Sequence, residues 1–280
     1  MVSNRSFFSV AMCVYSGDIA EHFEVAVESV LNQTIQPDEL VLVVDGPVND
    51  KVNDVIGKYQ SNSKFKIVRF PENQGHAKAR QAALEVCTYN IVALMDSDDI
   101  SVPTRFEKEL ETLRKNPEMS VVGSNIQEFE DEPQCVVGYR VVPESDVDIK
   151  EYMKKRCPMN QVTVLIKKDD VLDAGGFLDW YCNEDYYLWI RLAAKGYRFA
   201  NVQEPLVNVR VDSKMYGRRG GFKYFTSEAK LQAYMLSSGI IGLPRFVINV
   251  CERFVVQILM TNKLRMWFFQ NIARVKGSTE

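Results

Sequence analysis

Three carboxylates within four residues, Asp96-Ser97-Asp98-Asp99, directly follow the apolar run 91–95. Like charges so close make one another costly to ionise, and a divalent cation with oxygen ligands is the usual relief. Mg²⁺ or Mn²⁺ suits such a set. Zinc favours histidine or thiolate, and the loop lacks the glycine and terminal glutamate of an EF-hand. The other reading is a solvated acidic turn with helix-capping aspartates, a role that Asp99 alone would satisfy. A second cluster, Asn73-Gln74-Gly75-His76-Ala77-Lys78-Ala79-Arg80, stands where a loop enters a helix. Its free N–H groups and its two cations suit a phosphate or carboxylate partner, or else form a glycine-assisted turn with solvated charges. In the third, Asn183-Glu184-Asp185 precedes Tyr186, Tyr187 and Trp189. It offers a general base in an aromatic cleft, or merely acidic side chains that favour a helix dipole.

Positioning these clusters falls to an alternating pattern of elements. Residues 7–15 read as a buried strand, and Phe23, Ala26, Val27, Val30 and Leu31 recur as one face of a helix. Strand 39–44 ends at Asp45-Gly46-Pro47, and Val52, Val55, Ile56 and Tyr59 stripe a second helix. Strand 65–69, a helix bearing Ala79, Ala82, Ala83 and Val86, and strand 91–95 complete four strand–helix units. Such alternation predicts an α/β fold with a mostly parallel sheet covered on both faces, whose ligands sit at the carboxyl ends of the strands. Tyr15, Asp45 and the acidic cluster all fall there. Beyond them the pattern predicts a helix around 106–113, strands at 121–129, 136–142 and 163–166, and a helix capped by Asn183 and ended by Gly196. Residues 212–221 read as a basic, glycine-rich loop, and 222–276 as helical.

The chain has 280 residues with 46% hydrophobic, 11% aromatic and 25% charged side chains, and a formal charge of −3. That composition describes a folded protein and excludes disordered, collagen-like and strongly basic nucleic-acid-binding classes. Six scattered cysteines without a CxxC pair read as reduced, mostly buried thiols of a cytoplasmic protein. The start of the chain mimics a secretory signal, but Asp18 and Glu21 follow the apolar run at once. Residues 254–262 are only nine uncharged positions, against about 20 for a membrane span. Walker, GxGxxG, GxSxG and HExxH motifs are absent, which removes ATPase, dinucleotide-oxidoreductase and common hydrolase readings.

Taken together, Val14-Tyr15-Ser16-Gly17-Asp18, residues 29–34 (Ser-Val-Leu-Asn-Gln-Thr), Asp45-Gly46-Pro47, residues 71–75, Asp96-Ser97-Asp98-Asp99, Gly175-Gly176-Phe177 and Glu184-Asp185-Tyr186 resemble bacterial family-2 glycosyltransferases of the GT-A fold. The resemblance spans roughly residues 7–211 and is nearest the amylovoran and O-antigen exopolysaccharide transferases. It implies a GT-A catalytic domain over 1–221 and a helical extension over 222–280. It also implies that Tyr15 and Asp45 hold the uracil of a UDP-sugar, with Val14 in the donor-binding set and Lys78 and Arg80 on a donor-contacting loop. Asp96 and Asp98 match the DxD pair that grips the diphosphate through Mn²⁺ or Mg²⁺. Ser97, Arg210 and Arg218 join the donor-binding set, and Asp185, with Glu184 beside it, matches the catalytic base of inverting members. The processive QxxRW signature is missing, since the chain reads Trp189-Ile190-Arg191-Leu192, so a single-sugar transferase is implied.

The expected reaction passes a hexose, from UDP-galactose or UDP-glucose, to an undecaprenyl-diphosphate-linked saccharide in surface polysaccharide synthesis. A sugar nucleotidyltransferase and a catalytically silent partner of a polysaccharide complex are the rival readings. Phe246, Val247, Val250, Phe254, Val255, Ile258 and Leu259 form an apolar face amid basic residues. This suits either an interfacial helix on an anionic inner membrane or packing on the protein, including in a homodimer. The charge is unevenly divided: residues 1–213 sum to −11 and 214–280 to +8. No nucleic-acid partner is expected.

Overall fold

The computed structural model describes residues 6–211 and 220–260. A nine-stranded mixed sheet forms its centre. Strands β1 (Phe8–Tyr15), β2 (Glu39–Asp45), β3 (Phe65–Arg69) and β4 (Ile91–Met95) are parallel in the order β3-β2-β1-β4. Helices α1 (Ala20–Leu31), α2 (Asp50–Tyr59) and α3 (His76–Val86) supply the crossovers. Alternate strand residues feed two cores. Val10, Met12 and Leu42 meet α1, α2 and α4 (Arg105–Lys115) on one face, while Ala11, Val41 and Leu94 meet α3 on the other. Burial on both faces is why these strands are written as continuous apolar runs rather than as alternations.

The sheet then departs from simple alternation. After the two-residue β5 (Ile100–Ser101) and α4 come β6 (Met119–Phe129) and its antiparallel neighbour β7 (Val136–Arg140). Helix α5 (Asp146–Met153) and a 3₁₀ turn, Gln161–Thr163, lead to β8 (Leu165–Lys167), which lies antiparallel between β4 and β6. The strand expected at 163–166 is therefore displaced, because Thr163 is spent in the 3₁₀ turn. Short α6 (Lys168–Asp173) precedes α7 (Glu184–Ala194), and the 13-residue β9 (Arg198–Arg210) pairs parallel with β6 and antiparallel with β5.

Gly196, at φ +88°, ends α7 as expected. Asn183 stands at its N-cap position, and its carbonyl accepts from Tyr187 N at 2.9 Å, but its side chain does not cap the helix. Its backbone lies at φ −143°, ψ 26°, and with its amide nitrogen facing Glu228 it donates to Oε1 at 2.9 Å and accepts from Ser227 Oγ at 3.3 Å. Those partners come from α8 (Phe222–Ser237), which with α9 (Leu243–Phe254) and a π-helical turn, Val255–Leu259, forms the end of the described chain. Leu231 and Met235 of α8 share one core with Trp189, Leu188 and Met153. The thiols also depart from expectation: Cys87 is buried and Cys13 and Cys157 half-buried, but Cys135, Cys182 and Cys251 are exposed, since they lie on loops and a solvent-facing helix flank. Among the described residues no helix is long and apolar enough to cross a membrane.

Candidate active site

The ends of β1, β2 and β4 open into a cleft of about 1080 Å³. Val14, Tyr15, Asp45, Asp96, Ser97, Asp98 and Arg210 line it, as do Asp18, His22, His76 and the turn residues Asp131 and Glu132. Tyr15, 43% exposed, is the last residue of β1 and stands opposite Asp45 in the β1–β2 register. Parallel pairing with β4 brings the acidic cluster to the same end of the sheet. Residues 80 positions apart thereby share one surface.

The loop before α3 does take a carboxylate, and it is the chain's own. Gln74 N and Gly75 N donate to the two Asp45 oxygens at 2.7 and 3.0 Å, while Asn73 Nδ2 donates to the Asp45 carbonyl at 3.2 Å. Each carboxylate oxygen keeps a second lone pair for a ligand. Directly beside it, Gly46 sits at φ +84° and any Cβ there would lie 2.5 Å from Asn73 N. Glycine is thus required for the β2 end and the α3 loop to approach so closely.

Buried Arg80, on α3, donates from Nη2 to Asp96 Oδ1 at 2.7 Å and from Nη1 to Glu184 Oε1 at 3.1 Å. His76 Nδ1 lies 3.8 Å from the same Glu184 oxygen. Burial works against ionisation of Asp96, but Arg80 and His76 overcome it and hold its carboxyl below the ordinary value. Asp98 lacks that partner. Burial, and then the charges of Asp96 and Asp18, push it up to about 6. Asp18 is raised by burial despite accepting from Tyr15 N at 2.9 Å and Ser97 Oγ at 2.9 Å. Glu184 is raised by burial and by neighbouring Asp185, against the pull of Arg80. Asp99 is buried and accepts the Arg210 amide at 2.9 Å, so it belongs to the scaffold between β4 and β9.

Asp96 and Asp98, with Asp18 near, form an all-oxygen donor set whose mutual repulsion an ion would relieve, which fits Mg²⁺ or Mn²⁺. Among the described residues no three His, Cys, Asp or Glu side chains converge as a complete metal cage.

Not every expected residue reaches the cleft. Lys78 is exposed and absent from its lining, whereas Arg80 lies behind it, reaching it through Asp96. Arg218 falls outside the described residues, as do residues 261–280. Asp185 lines a second cavity of about 880 Å³ beneath α8 and α9. Its Oδ1 accepts from the Tyr186 amide at 2.7 Å, one of the N–H groups a helix start leaves open, and its Oδ2 lies 3.7 Å from Cys157 Sγ. Asp18, His22, His76, Asp131 and Glu132 were missed. Asp18 stood within the motif that follows β1 and His76 within the loop–helix cluster before α3, which offered a signal, but nothing local marks the other three.

Residues 9–171 match the family model described as Glycosyl transferase family 2. An uncharacterized glycosyltransferase of Haemophilus influenzae is 38% identical over 92% of this chain and 96% of its own. The amylovoran biosynthesis glycosyltransferase AmsE of Erwinia amylovora is 34% identical over 90% and 94%. A UDP-Gal:alpha-D-GlcNAc-diphosphoundecaprenol beta-1,3-galactosyltransferase of Escherichia coli is 33% identical over 95% and 96%. Among solved structures, S. aureus TarS 1-349 in complex with UDP superposes with a TM-score of 0.63 at 15% identity, covering 94% of this chain and 78% of that one. A mannosyltransferase from Pyrobaculum calidifontis in complex with GDP-Man and Mn²⁺ gives 0.64 at 16%, covering 98% and 77%. The mixed sheet with its flanking helices is thus the GT-A fold.

Proposed function

The chain belongs to glycosyl transferase family 2, and from that premise we propose that it is a metal-dependent, inverting hexosyltransferase of bacterial surface polysaccharide synthesis. Its donor is UDP-galactose or UDP-glucose and its acceptor a lipid-diphosphate-linked sugar, in line with the donor and acceptor in the name of the E. coli relative. One observation carries the reading: the cleft gathers Tyr15, Asp45, Asp96 and Asp98 while Arg80, behind it, ties Asp96 to the Glu184-Asp185 pair.

In this reading Tyr15 covers the uracil face and Asp45 accepts its ring N–H. Asp96 and Asp98 would hold the Mn²⁺ or Mg²⁺, which when bound neutralises charge on the diphosphate. Arg80 keeps Asp96 ionised for that task, and Arg210 and Ser97 flank the diphosphate at the cleft wall, with Arg218 and Lys78 as further donor contacts. Asp185 takes the proton of the acceptor hydroxyl as its oxygen bonds to sugar C1, and the C1–O bond to UDP breaks on the opposite side, which inverts C1. Glu184 is committed to Arg80, whereas among the described residues Asp185 contacts an amide and a thiol on the second cavity, which favours Asp185 as the base.

Residues 1–221 are proposed as the GT-A catalytic unit and 222–280 as a peripheral membrane contact on the cytoplasmic leaflet. Leu243, Val247, Ile248 and Leu259 expose an apolar surface there, which supports the membrane reading. Co-flotation of the full chain with anionic but not neutral vesicles is the expected result.

A donor screen with a lipid-diphosphate N-acetylhexosamine acceptor and Mn²⁺ tests the whole proposal. Acceptor-dependent UDP release is expected, and release of pyrophosphate from UTP instead would sink it. Asp185→Asn should lower kcat by about 10²-fold or more with UDP affinity unchanged; near wild-type turnover would remove Asp185 as the base.

A further inference from the structure

Residues 29–34 line neither cavity, and the buried Arg105 has no part in the reaction described above. Both converge on the segment that carries Asp96 and Asp98. Strands β4 and β8 run antiparallel with Ala93 opposite Leu165, which sets Leu94 against Val164. A hydrogen-bonded antiparallel pair exchanges two backbone bonds. Here Leu94 N donates to the Val164 carbonyl at 2.9 Å, but Val164 N turns to the Gln161 carbonyl of the 3₁₀ turn at 3.2 Å, so the return bond is not made. The Leu94 carbonyl, two residues before Asp96, is taken instead by Arg105 Nη2 at 2.8 Å. The same guanidinium donates from Nη1 to Met95 Sδ at 3.4 Å and from Nε to both oxygens of the fully buried Glu109, each at 3.2 Å. A side chain thus completes the sheet where the backbone of β8 has left it. Beyond the acidic turn, Ser101 N donates to Ser29 Oγ at 3.0 Å and Gln33 Nε2 donates to the Val102 carbonyl at 2.8 Å. Gln33 Oε1 accepts from Phe106 N at 3.3 Å, one of the amides that the start of α4 leaves open and that the Thr104 side chain does not cap.

We infer that Arg105, Gln33 and Ser29 are positioning residues for the metal-binding pair: they fasten the segment 94–106 at both ends and hold Asp96 and Asp98 in place for a divalent cation before it arrives. Two carboxylates in one turn repel each other when both are charged. A turn free at either end would drift apart, and each binding event would have to order it again, at the expense of affinity. None of the three side chains touches the ion; they act through the backbone on either side of its ligands. The inference rests on the metal-dependent reading of the donor cleft and adds to it the residues that keep the donor set preorganised.

The test measures UDP binding to the full chain by calorimetry, well below its melting temperature, once in EDTA and once with saturating Mn²⁺; the ratio of the two Kd values is the tightening due to the metal. Arg105→Lys keeps a cation beside Glu109 but cannot fork to Leu94 and Met95, and Gln33→Met keeps the volume but loses the hydrogen bonds. Each should shrink the tightening by about tenfold and leave the metal-free Kd, which rests on Tyr15 and Asp45, unchanged. Ser29→Ala removes a single acceptor at a half-buried helical position, so it remains informative if the other two fail to fold, and it should shrink the tightening by about three- to fivefold. Glu39→Gln, at the opposite end of the sheet, serves as a destabilised control and should leave the tightening intact. An unchanged tightening in the folded variants, or an equal loss in Glu39→Gln, overturns the positioning role. Wild-type UDP binding that Mn²⁺ does not strengthen would instead overturn the metal-dependent reading beneath it.

Discussion

With its guanidinium divided between Asp96 and Glu184, Arg80 is both a structural ion and a setter of charge in the site. Removing it would leave two partly buried carboxylates without their shared cation, a loss smaller than the about 3–5 kcal/mol typical of breaking a fully buried pair. Arg80→Gln should therefore lower the melting temperature and abolish turnover. Arg80→Lys, a point charge unable to fork between both partners, should recover part of the stability but little of kcat. Thermal melts beside UDP-release assays separate these effects, and equal stability in Arg80→Gln would refute the structural half. Why Arg80 has this role was only partly legible in the sequence. A cation near a loop–helix junction was visible, but its partners lie 16 and 104 positions away and depend on strand order. The Asp96 cluster was legible because three acids after an apolar strand are unusual in themselves. Asp131 carried no such mark.

At the scale of elements, the sheet's parallel half depends on what happens at both ends of β2. At its start Glu39 accepts from Ser9 Oγ at 2.6 Å and from Thr88 N and Oγ1, each at 2.8 Å, and pairs with Lys66. Burial alone would raise its pKa, but these partners outweigh it and hold the carboxyl below the ordinary 4.5. A lowered folded value means that the stabilisation is present above 4.5 and fades as pH falls towards the folded pKa. Glu39→Gln should flatten the acid limb of urea-measured stability below that pH; an unaltered slope would contradict the role. At the other end, Gly46→Ala should cost about 2–4 kcal/mol through left-handed strain plus backbone overlap, with weaker UDP binding because Asp45 moves. Strands β1 to β4 were readable because each runs apolar between two cores. The 13-residue β9 was not: Asn201, Gln203, Glu204 and Pro205 break its pattern, and its burial comes from remote partners, such as Asn201 Nδ2 donating to the Pro143 carbonyl at 2.6 Å.

Across the whole molecule, the charge split between the acidic body and the basic end acquires a physical seam at α8 and α9. Trp180 Nε1 donates to the Ser227 carbonyl at 3.2 Å, and Leu231 and Met235 enter the core beside Trp189. Ending the chain after residue 221 should expose that core, so the shortened protein should melt at lower temperature and bind a hydrophobic dye; an unchanged melt would mark 222–280 as dispensable to stability. Long-range order also has a direction in time. Arg210 gives its amide to Asp99, 111 residues earlier, at the end of a strand that pairs with both β5 and β6. During vectorial synthesis the first four strands can associate early, yet the wall that closes the cleft emerges only after more than 200 residues have been made. A ribosome-bound chain stopped before β9 would hold its acidic turn without its lid strand, so newly made molecules should acquire nucleotide affinity abruptly and late.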